Sequence, residues 1–290
     1  MKKFIAMLLV LTMMACCFAA CDSAPTADQA TPTGNAGEAT GEATGEAAND
    51  TSAADGSETD LAYVQANGTL VVGITEYEPM DYKDENGEWT GFDAELARMF
   101  AKELGVECEF FVLADWGKKF MELDAKAIDC VWNGMTITEE AKANATVSDP
   151  YVINAQVVVM KADKLASYPD TDSMMDLVFA VEEGSAGQEV AENVGLKTVS
   201  KQDQAGALME VAAGAADACV IDITMANAMT GEGTDYAELG VGISLSSEEY
   251  GVAFRTGSEL AEKFNAFLEA KKADGSLQAL ADKYQLTLAE

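Results

Sequence analysis

D-C-V-W-N-G-M-T-I-T-E-E-A-K-A-N-A-T-V-S-D-P-Y, from Asp129 to Tyr151, is the stretch that decides the fold. Ile128 to Trp132 is a short apolar run of the kind that makes a buried strand, and Asn133-Gly134 breaks it. Thr136 and Thr138 follow, and Glu139-Glu140 opens a short helix, where acidic side chains suit the positive end of the helix dipole. A strand that ends in small and hydroxyl residues just before a helix leaves hydroxyls and free backbone N–H groups at one edge. Such an edge suits polar or anionic groups.

Strand and helix patterns alternate on both sides of this stretch. Thr69 to Ile74 reads as a buried strand, and Pro79 stops any helix in the loop that leaves it. Met80 to Lys83 and Glu88 to Thr90 flank Asp84-Glu85-Asn86-Gly87, a hairpin signal. A helix is predicted to open at Gly91-Phe92-Asp93, with Asp93 as N-cap and Gly105 just past its end; Phe92, Leu96, Met99, Phe100 and Leu104 share one face. Val106 to Val112 is the next strand, and Gly117 to Ala125 the next helix. Beyond the opening stretch, strands are predicted at 156–160, 178–181, 197–199, 218–221 and 250–254. Helices are predicted at 186–193, 203–213, from Asp222 towards Met229, 258–273 and 276–284. Alternation of this kind implies parallel sheets joined by right-handed crossovers.

The composition excludes several functions. Eighteen Lys+Arg against 50 Asp+Glu give a formal charge of −32, so nucleic acid is not an expected partner. The absence of histidine removes Ser-His-Asp and Cys-His catalysis and the usual ligands of catalytic zinc. Asp84 and Glu85 match no calcium-loop spacing, so neither metal nor cofactor is expected. Of six cysteines, Cys108, Cys130 and Cys219 each sit in an apolar run, as buried unpaired thiols do.

Residues 1–20 read as a signal peptide, with Lys2-Lys3 before an apolar run from Phe4 to Phe18. Phe18-Ala19-Ala20-Cys21 resembles a bacterial lipobox, which would place a lipid on Cys21; Cys16 and Cys17 are the other candidates. Residues 21–60 repeat G-E-A-T and hold no aromatic and no large aliphatic residue, the composition of a flexible acidic tether.

The opening stretch resembles the amino-acid-binding members of the solute-binding proteins that feed ABC transporters. In that family a strand reading D-(apolar)-G-(apolar)-T-I-T-x-E-R precedes F-S-D-P-Y. The resemblance runs from about Leu70 to Tyr284. It implies a two-lobed, periplasmic-binding-protein-like type II α/β fold. Each lobe is a mostly parallel sheet flanked by helices: 61–153 plus 250–290 form lobe 1, 154–249 form lobe 2, and two crossings make a hinge. The resemblance also implies the site. Gly134 and Thr136 would meet the α-amino and α-carboxylate groups of a ligand beside Asn133, and Asp222 would pair with the α-amino group. The Gly184-Ser185-Ala186 turn would face the carboxylate. Tyr77 and Trp116 would surround the side chain, Glu182 would touch it, and Glu76 falls near a family aspartate that matches Thr75 equally well. Against these stand ordinary roles: core packing for Tyr77, Trp116 and Trp132, a loop at 184–186, and a helix N-cap for Asp222.

The family's carboxylate-binding arginine is replaced by Ala141, and Lys142 would point about 100° away on a helix. Either Thr136, Ser185 and helix N-termini hold the carboxylate, or the ligand is a polyamine or other organic cation without one. The expected protein is thus a monomeric, lipid-anchored, extracytoplasmic receptor that hands an amino acid, polar or cationic, to an ABC permease. A dehydratase derived from the same fold is the rival, disfavoured because its anionic substrate would need the missing cation.

Overall fold

The computed structural model describes residues 59–290; the signal peptide, Cys16, Cys17, Cys21 and the tether to residue 58 lie outside the described residues. The first lobe holds α1 (Asp60–Asn67), β1 (Thr69–Ile74), a hairpin of β2 (Tyr82–Lys83) and β3 (Trp89–Thr90), α2 (Phe92–Leu104) and β4 (Glu107–Val112). A 3-10 turn then leads into α3 (Lys119–Asp124), followed by β5 (Cys130–Val131), α4 (Glu139–Asn144) and β6 (Thr146–Val147). The chain crosses on β7 (Val152–Asn154) into β8 (Gln156–Lys161), β9 (Val178–Glu182), α5 (Ala186–Asn193), β10 (Lys197–Lys201), α6 (Gln204–Ala213), β11 (Ala218–Asp222), α7 (Ile223–Met229) and β12 (Leu239–Ser244). It returns on β13 (Glu248–Tyr250) to β14 (Ala253–Phe254), α8 (Leu260–Asp274) and α9 (Ser276–Tyr284).

Two five-stranded sheets result, in the orders β4-β1-β5-β14-β6 and β10-β9-β11-β8-β12. In each, four strands run one way and one runs against them: β14 in the first sheet, β8 in the second. The reversed strand is in both cases the one entered directly from the hinge. The hinge is the antiparallel pair β7 and β13, with Val152 opposite Tyr250 and Asn154 opposite Glu248. The C-terminal tail adds to it, as Ile153 N–H donates to Thr287 O at 2.9 Å.

The first lobe's core is aromatic. Phe92, Leu96, Phe100 and Leu104, four apart along α2, are all buried. Phe100 meets Phe264 at 5.3 Å and Trp132 meets Phe264 at 4.7 Å, both edge-on. Trp132 is fully buried, so it fills this core and takes no part in a cleft floor. Cys108, Cys130 and Cys219 are free thiols, and burial raises the pKa of each.

Three readings change. Thr59 and Asp60, ahead of the expected start at 61, already belong to the first lobe: the Thr59 hydroxyl caps α1 and Asp60 pairs with Arg255 at 2.8 Å, and local composition cannot report a partner 195 residues away. The Asn86-Gly87 signal belongs to a longer turn, held by Asp84 Oδ1 accepting from the N–H groups of Asn86 and Glu88. Asp93 is not a cap. Gly91 holds the N-cap position at φ +118°, and the carbonyls of Pro79 and Met80 accept the N–H groups of Phe92 and Asp93. A Cβ on Gly91 would sit 2.2 Å from Met80 O, which is why glycine stands there. Freed from capping, the buried Asp93 carboxylate accepts from Gly134 N–H at 2.6 Å and Tyr151 O–H at 2.9 Å.

Asp81 is fully buried, and both its carboxylate oxygens lack a hydrogen-bond partner. Burial, then the nearby Asp93 charge, raises its pKa far above the carboxylate range, and burial lifts Asp93 to about 7. An unfolded carboxyl titrates near pH 4, roughly. Stability from this pair is therefore fully present below about pH 4 and is lost as pH rises through about 7. Asp81→Asn supplies a neutral amide beside Asp93. It is expected to raise the melting temperature at pH 7.5 by a few degrees, with a gain of about 1 kcal/mol reading as roughly 2–4 °C at this size. The gain should vanish at pH 4; an equal gain at both values refutes the shared burden of charge.

Candidate functional site

Between the lobes lies a narrow cavity of about 40 Å³, walled by the 133–136 loop and α3 on one side and by the ends of β9 and β11 on the other. A water needs roughly 10–15 Å³ by the same measure, so the cavity has room for about three waters, and an occupant the size of an amino acid must part the walls. The walls already touch: Lys119 Nζ donates to Gly184 O at 3.2 Å, and Tyr77 Oη lies 2.5 Å from Thr224 Oγ1.

The first wall follows from a backbone requirement. Gly134 has φ +56°, and a Cβ there would meet Tyr77 Cε1 at 2.6 Å, so only glycine lets this loop lie on the tyrosine. Its N–H is tied to Asp93, which fixes the loop to α2. Asn133 donates to Thr75 Oγ1 at 2.7 Å while its own side-chain oxygen has no partner. Thr136 Oγ1 donates to Glu248 Oε1 at 2.8 Å, joining the loop to the hinge.

The second wall is acidic. Asp222 stands at the N-cap position of α7 but makes no cap bond. Its carboxylate accepts instead from Gln156 Nε2 at 2.7 Å and from the amides of Asn154 and Gln204. Asn154 Nδ2 and Gln156 Nε2 also reach Glu248 Oε1, both at 2.7 Å, so two amides are shared between two carboxylates. Burial raises Asp222 to about 7, the Glu248 charge adds to this, and the amides of Gln204 and Asn154 oppose it. Glu182 is 3% exposed, its Oε1 has no partner, and burial followed by the Asp222 charge raises it well above the ordinary range.

Nine of the eleven residues expected at the site line this cavity: Trp116, Asn133, Gly134, Thr136, Glu182, Gly184, Ser185, Ala186 and Asp222. Glu76 and Tyr77 do not. A tight turn bonds Tyr77 N–H to Asp81 O, which directs Tyr77 inward and leaves Glu76 exposed. Tyr77 is buried in the seam between the lobes, where its hydroxyl meets those of Thr224 and Tyr250, each at 2.5 Å. The Ser185 hydroxyl is engaged in capping α5: it accepts from Gln188 N–H and donates to Glu182 O. Ala141 is buried in an apolar cluster with Trp116 and Phe120, and Lys142 faces solvent, paired with Glu139 at 3.0 Å.

The sequence reading missed Lys119, Gln156 and Gln204. Lys119 and Leu123 lie four apart on the buried face of α3, a period that marks position 119 as inward-facing against its neighbour Lys118. No local signal distinguishes Gln156 or Gln204, which matter only because distant elements bring them to Asp222.

Comparison with known proteins gives a consistent picture. The sequence pattern of the bacterial extracellular solute-binding proteins, family 3, matches residues 70–287. The chain is 31% identical over 228 residues to the L-cystine-binding protein TcyJ of Escherichia coli (strain K12), spanning 77% of this chain and 85% of that one. It is 30% identical over 242 residues to the L-arginine-binding protein of Pseudomonas aeruginosa, spanning 79% and 92%. Among solved structures it resembles the ancestral amino acid-binding protein AncCDT-1, a precursor of cyclohexadienyl dehydratase. The TM-score is 0.71 at 33% identity, over 78% of this chain and 99% of that one. Both relatives are binding proteins; a dehydratase enters only as the successor of that ancestor.

Gly134→Ala tests the wall. The Cβ clash with Tyr77 and the left-handed backbone together are expected to cost about 1–3 kcal/mol of stability. Ligand binding should fall with it. An unchanged melting temperature would show that the loop adapts and that Gly134 is not a fixed point.

Proposed function

The chain belongs to family 3 of the bacterial extracellular solute-binding proteins, and from that premise we propose that it captures an α-amino acid, with a cationic side chain preferred, in the cavity between its lobes. It is a binding protein rather than an enzyme. The observation that carries the ligand class is the pairing of two buried acids in one wall. Asp222, held by three amides, suits an α-ammonium group, and Glu182, with an oxygen that has no partner, suits a second cation beyond it. Relatives that bind cystine and arginine support the amino-acid class. The excess of acids around the cavity, with Glu140 and Glu189 exposed at its rim, favours a second reading, a polyamine or other organic cation.

In this reading 61–153 with 250–290 and 154–249 work as the two lobes. The ligand stabilises closure because only the closed form engages both. The closed receptor delivers its ligand to an ABC permease, as a monomer held outside the cell by a lipid on Cys21.

Calorimetry of the full-length protein against amino acids, polyamines and small carboxylates tests the ligand. Asp222→Asn should weaken the best amino acid by about 100-fold or more, the usual effect of truncating one partner of a buried charge pair. Because Asp222 sits at about 7 before a cation arrives, affinity should rise with pH towards 7 and then level off, with a proton released near neutrality. Affinity indifferent to both the variant and pH would remove Asp222 from the site. For the anchor, Cys21→Ser should move the protein from the membrane to the soluble fraction, while Cys16→Ser and Cys17→Ser should not; retention of Cys21→Ser at the membrane refutes lipidation there.

A further inference from the structure

We propose that Lys119 is the group that binds the ligand's carboxylate and so restricts the site to free α-amino acids against the corresponding amines. This rests on the receptor reading above. The chain has two arginines, Arg98 and Arg255, and neither lines the cavity. Arg255 is saturated elsewhere, by Asp60 at 2.8 Å, Asp129 at 3.0 Å and the carbonyl of Ile128. Arg98 donates to Trp89 O and lies over the Phe110 ring. Lys119 is the one cation among the residues that line the cavity.

No carboxylate among the described residues reaches it directly; burial disfavours its charged form, although the charges of Glu140, Glu182 and Asp115 lie near enough to oppose this. Lys119 is 5% exposed, yet among the described residues it forms no ion pair; its ammonium has only the carbonyls of Trp116 at 3.4 Å and Gly184 at 3.2 Å. It rests over the rings of Trp116 and Phe120 at 5.0 and 4.9 Å, which hold the charge in place without neutralising it. A buried ammonium with two long neutral acceptors gains from a carboxylate, the pairing that makes a charge-assisted bond.

Two of the three hydroxyls that line the cavity already donate elsewhere, and the third, on Thr138, is turned to cap α4 by accepting from Ala141 N–H. Thr136 donates to Glu248 and Ser185 to Glu182 O, so neither offers its proton to a carboxylate without breaking an existing bond. Ser185 and Ala186, at the N-terminus of α5, line the same cavity and add the favourable end of a helix dipole on the side that Lys119 already touches. Asp222 and Lys119 thus place opposite charges in one cavity, the arrangement a zwitterion needs. A ligand that is cationic throughout gains nothing from Lys119 and is repelled by it.

The test compares amino acids with their decarboxylated amines, lysine with cadaverine and arginine with agmatine, by calorimetry on full-length protein. Wild type is expected to prefer the amino acid. Lys119→Met should lower amino-acid affinity by about 100-fold, leave the amine's affinity equal or higher, and keep the melting temperature. Lys119→Arg, which keeps the charge, should recover much of the loss. If Lys119→Met weakens acid and amine alike, or neither, the assignment is overturned while the receptor reading stands. The same holds if wild type prefers the amine. If wild type binds none of the panel, the receptor reading itself fails and the assignment falls with it.

Discussion

The structure depends on how a buried carboxylate, Asp222, and a half-buried one, Glu248, are kept side by side. Removing a carboxylate from water costs several kcal/mol even after relaxation. Each hydrogen bond to a charged group returns about 1.5–3 kcal/mol, so the three amides on Asp222 offset much of this cost, and the part they leave shows in its rise to about 7. Two of them, Asn154 and Gln156, are shared with Glu248. Asn154 and Glu248 face each other across the hinge pair, Gln156 begins the first strand beyond it, and Gln204 opens α6. The acid that faces the cavity is therefore wired to the segments on which the lobes turn. A cation at Asp222 would relieve the repulsion between the two acids and tighten the donors they share.

The same coupling appears on the other wall. Gly134 is tied through Asp93 to α2, and Thr136 through Glu248 to β13, so the 133–136 loop has no freedom separate from the lobe and the hinge. Tyr77, Thr224 and Tyr250 bring three hydroxyls together across the seam. These contacts join the two walls directly, and in the proposed receptor a ligand would add to them. On that proposal closure is a shift in population, biased by whatever the ligand engages on both walls at once.

Much of this was legible in the sequence because it was periodic or punctuated. β1 and the helices at 186–193 and 276–284 were read with their observed bounds, since apolar spacing and flanking glycines are local facts. The loop at 133–136 and the turn at 184–186 were found because a strand ending in small residues before a helix is also a local pattern. What failed was long-range. The acid of Asp93 looked like a cap because the carbonyls of Pro79 and Met80, which take over that role, arrive from a loop whose path the sequence does not state. The Glu76-Tyr77 pair was read as facing the ligand, yet the turn to Asp81 sends one outward and the other into the seam. β12 escaped notice because L-G-V-G-I-S carries two glycines, and a strand that tolerates them does so through the close approach of Leu165 to Gly240 and Gly242.

The family resemblance places an arginine where Ala141 stands, and on the assignment proposed above Lys119 supplies that charge from α3 instead. An arginine on α4 would present a planar fork, whereas Ala141 is buried against Trp116 and Phe120. Those two rings also carry the Lys119 ammonium, which reaches the cavity from α3 over the same apolar cluster. An ammonium is a compact point charge on a flexible stem, so it can turn from the Gly184 carbonyl to a carboxylate with little rearrangement. The geometry it imposes is looser than a fork's. In the proposed receptor, discrimination then falls to the opposite wall, where Asp222, its amides and Glu182 would define the positions of the ligand's cationic groups.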